Sequence, residues 1–241
     1  MRAFVAQARA EIMLTLRRGE SVLLAIGIPV GLLVFFSVVD LGFTDNEVRD
    51  PVNFLAPGIL ALAVMSTAMV SLGIATGFER QYGVLKRLGS TPLGRPRLLG
   101  AKTASIVGIE IVQLVILVPV AFALGWDPSS AGGAALAAVV LATIAFAGLG
   151  LLMAGTLRAE VTLAAANGLS LVLLLLGGMV IPLAKLPEGL RAVARLLPAA
   201  ALSDILHSSL GHAPSRPEAW AVLAVWAVLA PVAAALTFRW E

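Results

Sequence analysis

Few residues in this 241-residue chain are of a type to do chemistry, and they stand far apart. Glu110 is the one ionisable residue clearly inside an apolar run, eight residues past Lys102, which is about 12 Å of helix at ~1.5 Å per residue. A charge at that depth is costly, so the carboxyl must be neutral, paired or facing a wet cavity. One reading is a proton or cation site. The other is a protonated or hydrogen-bonded carboxyl facing Gln113, Asn167 or the serines and threonines of neighbouring spans. A proton-driven carrier generally needs a relay, and a single acid favours the second.

The remaining candidates are weaker. His207 and His212 lie five apart without acidic partners at ligand spacing, which reads as polar surface rather than a metal site. "GRPRLLGAKT" ends like a phosphate-binding loop, but Ala101 stands where the pattern needs Gly before Lys, and an apolar run follows. No H-E-x-x-H or G-x-S-x-G occurs, and with no cysteine there is neither thiol chemistry nor a disulfide. Nothing here predicts an enzyme, a resident cofactor or a metal.

The charge is concentrated elsewhere. Residues 79–102, "ERQYGVLKRLGSTPLGRPRLLGAK", hold six of the seventeen Lys and Arg (Arg80, Lys86, Arg87, Arg95, Arg97, Lys102) and one acid, Glu79. "ERQYGVLKRL" is long enough for two to three helical turns, and Gly89 with Ser90-Thr91-Pro92 stops it. A short charged helix between two spans can bind anionic headgroups or press on a soluble partner.

Around this island the chain is apolar: 59% hydrophobic, 13% charged, mean hydropathy +0.98. Runs of about 20 residues that are apolar all round exclude a soluble fold, and alternating ten-residue strands of a barrel are not found. The composition predicts an all-α membrane protein, a single transmembrane domain over 1–241 with six spans. They cover about Ser21–Leu41, Phe54–Phe78, Thr103–Leu124, Ala131–Leu157, Val161–Ile181 and Ala219–Phe238. With the N-terminus inside, the inner side carries Arg2, Arg9, Arg17, Arg18, the six of the island, Arg158 and Arg239, leaving five basic residues outside. The positive-inside rule therefore places both termini in the cytoplasm. The net charge of +3 is read as cytoplasmic loop charge, not a nucleic-acid surface.

Two segments lie outside the spans. In residues 1–20, Phe4, Val5, Ala8, Ile12 and Leu16 share one side of a helix with Arg2 and Arg9 at its flank, suited to the membrane interface and its lipids. Residues 182–217 are too polar to span and too apolar for a loop. Pro182, Pro187 and Pro198 divide them, with Leu190, Val193, Ala194 and Leu197 at helical spacing. Short helices dipping into the outer leaflet would satisfy their own backbone. Small residues in "AFAGLGLLMAG", with Gly177 and Gly178, read as close helix packing.

The island resembles the loop between the second and third spans of ABC type-2 exporter permeases, with a pattern like E-R-E-x-G-T-L-E-x-L-x-x-T-P. The match falls on Glu79, Arg80, Gly83, Leu85, Leu88, Thr91 and Pro92, and Lys102 is similar to the family's basic residue at the start of the third span. "GGMVIPLAKLPEGLRAVARLLPAAALSDIL" is similar to the family's stretch before the last span. Gln81, Val84 and Lys86 depart from the pattern, so this island is more basic than usual.

The resemblance implies the membrane subunit of an ATP-driven exporter, nearest the drug-resistance-like branch and placed in the inner membrane. The island would be its coupling helix, docking on a separate ATPase subunit that binds ATP and Mg. The outer segment would gate the exit, with Pro182, Pro187, Leu190, Val193, Leu197 and Pro198 as gate residues. A second permease chain, identical or paralogous, would complete the path for a hydrophobic or amphipathic cargo. Two other readings stay open: a proton-coupled carrier using Glu110, and a membrane assembly factor without transport.

Overall fold

The computed structural model describes residues 19–38, 51–85, 95–129, 132–211, 213, 214 and 216–238. All regular structure among them is helical. α1 is Gly19–Val38 and α2 is Pro51–Gln81, a continuous 31-residue helix with a π-helical stretch at Ser66–Ser71. α3 is Arg95–Ala123, α4 Gly132–Thr156 and α5 Ala159–Leu176. A 3₁₀ turn at Leu183–Lys185 then leads into α6 (Glu188–Ala194), α7 (Pro198–Leu210) and α8 (Pro217–Thr237).

Among the described residues, five helices are long and apolar enough to cross a membrane: α2, α3 from Gly100, α4, α5 and α8. α1 contributes a shorter apolar stretch, Ile26–Val38. The expected interfacial helix falls on residues outside the described ones, apart from the start of α1. The fifth span is shorter than the sequence suggests. Its helix ends at Leu176, and Gly178, at φ +69°, turns the chain before Ile181. The third is longer, since α3 begins two turns early, inside the island.

α4 is the centre of the bundle, packing on α2, α7 and α8, and its small residues let the backbones close in. A Cβ on Gly148 would stand 2.5 Å from the Pro231 nitrogen of α8, and one on Gly150 2.6 Å from the Met69 carbonyl oxygen in the π-helical stretch. The sequence-based reading of "AFAGLGLLMAG" as a packing surface holds. By contrast, Leu171, Val172 and Leu175 of α5 and Val225, Val228 and Leu229 of α8 are exposed, as a lipid-facing surface requires.

The end of α2 and the α4–α5 turn lie at one end of the bundle, the island end. The α3–α4 loop and residues 177–216 lie at the other, the far end. Prolines begin the far-end pieces as expected: Pro182 precedes the 3₁₀ turn, Pro187 precedes α6 and Pro198 opens α7, where a missing N–H costs nothing.

Candidate functional site

At the island end, α2 keeps its helical path through Gln81, which carries Glu79 and Arg80 inward against neighbouring helices. Glu79 Oε2 forms an ion pair with Lys102 Nζ on α3, whose side chain is 2% exposed against 28% for Glu79. Arg80 donates from Nη1 to the Gly155 carbonyl and from Nη2 to the Leu157 carbonyl, both at 2.5 Å, where α4 ends. Gln81 Nε2 donates to Glu160 Oε1 in the first turn of α5, at 2.9 Å.

The helix then stops. Tyr82 N–H donates to the Phe78 carbonyl, Gly83 N–H to the Arg80 carbonyl, and Gly83 sits at φ +70°. This is a left-handed C-terminal stop, which glycine alone adopts without penalty. The expectation of an unbroken helix over "ERQYGVLKRL" is thus corrected: the chain bends at Gly83. On either side of the bend Tyr82 and Val84 are exposed, at 70% and 37%, while Leu85 is buried. Leu88, Thr91 and Pro92 lie outside the described residues.

The same geometry disposes of the phosphate-loop look-alike. "GRPRLLGAKT" is the first turns of α3, and its Lys102 is buried against Glu79 instead of facing a phosphate.

Midway along α3, Glu110 is buried, and its Oε2 lies 2.7 Å from Thr143 Oγ1 on α4. The Thr143 hydroxyl also lies 2.9 Å from the Val139 carbonyl, so its single proton has two acceptors within reach. Of the partners anticipated from sequence, a threonine of a neighbouring span is the one used. Asn167 instead donates to its own helix at Leu163, and Gln113 accepts from Thr67 of the π-helical stretch at 3.0 Å.

The far end is tied by short polar groups. Asn53 Oδ1 accepts from the Asp127 N–H, and Ser129 donates through N–H to the Leu210 carbonyl and through Oγ to the Ser209 carbonyl. His207, expected at the surface, is 8% exposed. Its Nδ1 lies 2.7 Å from the Ser203 carbonyl and 3.2 Å from Ser203 Oγ, its Nε2 lies 2.9 Å from the Phe54 carbonyl, and its ring packs on Phe54. Burial pushes its pKa below the ordinary 6.5, opposed by the hydrogen bonds to Ser203 and Phe54. No sequence pattern signals this burial, because both strong partners are backbone carbonyls. Asp204 pairs with Arg216, and burial raises its pKa against the opposing charges of Arg216 and Arg195. His212 lies outside the described residues.

Of the anticipated gate residues, Pro198 is buried, Pro182 and Leu197 are half-buried, and Pro187, Leu190 and Val193 are exposed. Arg191 is half-buried and donates to the Ala184 and Leu186 carbonyls, holding the 3₁₀ turn onto α6. Trp226 of α8 donates to the Leu196 carbonyl and anchors the segment to the last span.

The profile of the ABC-2 type transporter family matches residues 2–210. The chain belongs to that family. It is a multi-pass membrane protein and an ABC-2 type transporter membrane domain, a permease component. Comparison with curated proteins gave no match. The island is one of the two segments that carried the resemblance noted from sequence. The structure brings Glu79 and Lys102 of that resemblance into contact.

Proposed function

We propose that this chain is the permease subunit of an ATP-driven exporter, moving a hydrophobic or amphipathic substrate outward on ATP hydrolysed by a separate ATPase subunit. The observation that carries the reading is the family match over residues 2–210, in a chain whose P-loop-like lysine is consumed by an internal ion pair. ATP and Mg would then be bound on the partner, and this chain supplies the path and the surface on which the partner pushes.

In this reading α1 is the first of six spans and the island end faces the cytoplasm, where the positive-inside rule puts its charge. Six spans are few for a bulky amphiphile, so two chains, identical or paralogous, meet on a two-fold axis with the path between them. The far-end segment lies at the outer mouth, and its exposed Leu190 and Val193 meet the second chain or the outer leaflet. Efflux of drug-like compounds follows the drug-resistance-like character of the sequence.

Co-purification tests this. The full chain extracted from its membrane should carry a P-loop ATPase in stoichiometric amount. Oxidation of single cysteines introduced into this cysteine-free chain should yield a dimer at positions near the axis. Active material containing one six-span chain and no ATPase would overturn the proposal. Transport dissipated by a protonophore and lost in Glu110→Gln would favour the proton-coupled carrier.

A further inference from the structure

Three consecutive residues at the end of α2 reach three different elements: Glu79 to α3, Arg80 to the end of α4, and Gln81 to the start of α5. We infer that Glu79, Arg80 and Gln81 form a three-way clamp inside the chain, a set of positioning residues that leaves the ATPase contact to Tyr82 and Val84. The functional half of this inference rests on the proposed coupling to an ATPase.

Each arm of the clamp has its own physical reason. The last carbonyls of α4 have no partner within their own helix, and they form the negative end of its dipole. The Arg80 guanidinium meets two of them at once, which its planar fork allows and a lysine's point charge does not. These two bonds hold the guanidinium against the end of α4. Lys102 is almost fully buried, so its ammonium depends on Glu79 for compensation. Gln81 to Glu160 is an exposed contact and the weakest of the three. Backbone packing supports the side chains, since a Cβ on Gly77 would touch Thr162 and Ala159 of α5 at 3.5–3.6 Å.

The residues just past the clamp behave oppositely. Gly83, at φ +70°, turns the chain out of the helix, and Tyr82 and Val84 present an aromatic and an aliphatic side chain to the exterior. Because the clamp joins α2 to α3, α4 and α5, a push on the loop moves the ends of four helices together. The charged residues of the island's opening motif therefore transmit motion and do not receive it.

The experiment measures two quantities on the full chain co-expressed with its ATPase: the thermal unfolding midpoint of the permease, and the amount of ATPase retained at a temperature where the permease is folded. Glu79→Gln should lower the midpoint, and adding Lys102→Met should restore part of it, because the second change removes a buried ammonium whose Glu79 counter-charge the first takes away. Arg80→Ala should lower the midpoint, and Arg80→Lys should recover only part. All folded variants of this set should retain the ATPase as wild type does. Tyr82→Ala with Val84→Ser should cut retention several-fold at an unchanged midpoint. Loss of retention by Glu79→Gln or Arg80→Ala at an unchanged midpoint would overturn the clamp. So would a double variant no more stable, or no better folded, than Glu79→Gln alone. If wild type retains no ATPase, the coupling proposal fails, while the midpoints of the Glu79 and Lys102 variants still decide the clamp.

Discussion

The two ends of the bundle are held by different chemistry. At the island end, long charged side chains bridge helix termini: Arg80 to the α4 carbonyls and Glu79 to Lys102. At the far end the charged contacts stay within the segment before α8, Arg216 to Asp204 and Arg191 to the Ala184 and Leu186 carbonyls, while short polar groups and bare backbone join the elements: Asn53 to Asp127, Ser129 to Ser209, and Gly58 so close to α5's exit that a Cβ would lie 1.8 Å from the Met179 carbonyl oxygen. Long side chains tolerate sliding, because their rotamers can follow a moving partner. Backbone contacts do not, since shifts of a few tenths of an ångström already cost contact energy. The difference suits a molecule driven at one end and sealed at the other.

The largest effect should come from breaking the far end. Gly58→Ala puts a methyl into the Met179 carbonyl and should destabilise by about 3 kcal/mol or more, near the upper range for overpacking. Gly168→Ala, with open space around its Cβ, is the control and should stay within about 1 kcal/mol of wild type or gain slightly. Thermal unfolding of both purified variants checks the contrast.

The bend at Gly83 ranks next. A non-glycine residue held at φ +70° costs roughly 1–2 kcal/mol, so Gly83→Ala should weaken the stop modestly. Gly83→Pro cannot adopt that angle at all and should redirect the loop. We expect it to abolish export while the bundle still inserts and melts near the wild-type temperature, because nothing lies within 4 Å of the Gly83 Cβ position. Normal export by Gly83→Pro would remove the loop from the coupling path.

Acidification should act at the far end first. Burial holds the His207 pKa below 6.5 in the folded chain, so folding favours the neutral ring. That contribution is fully present above pH 6.5 and is lost as pH falls below it, when the unfolded chain binds the proton more readily. The groups against the ring are the Ser203 and Phe54 carbonyls, the Ser203 hydroxyl and the Phe54 ring, none of them an acid that would stabilise an imidazolium. Hydrogen exchange in α7 should accelerate on acidification before that of the α2–α4 contact at the island end, and His207→Asn should flatten the response.

The smallest effect should be that of Glu110→Gln. The amide keeps an acceptor and adds a donor facing Thr143, so stability should stay within about 1 kcal/mol and export near normal. A loss of activity together with a wild-type pH dependence would instead support the proton-coupled reading.

How much of this was legible in the sequence follows from which signals a one-dimensional pattern carries. Spans long enough to cross the bilayer announce themselves through hydropathy, and the prolines at 182, 187 and 198 mark helix starts because a missing N–H costs nothing there. A threonine partner for Glu110 was foreseeable, since a buried carboxyl must find a hydroxyl or an amide. The contacts of Arg80 were not legible because its partners are the carbonyls of Gly155 and Leu157, and a carbonyl has no sequence signature. His207 was misplaced for the same reason. The stop at Gly83 was hidden by the favourable helical character of the residues around it, with Ser90-Thr91-Pro92 offering a more obvious terminator downstream.

The most direct test compares the two ends in one experiment. A photo-reactive amino acid is placed at Tyr82 in one version of the full chain and at Leu190 in another, and membranes are irradiated with and without ATP. The account predicts that Tyr82 captures a polypeptide that also binds a photo-labelled ATP analogue, and that Leu190 yields only the second permease chain or lipid. Capture of the ATP-binding polypeptide from Leu190, or of none from Tyr82 in actively exporting membranes, would contradict it.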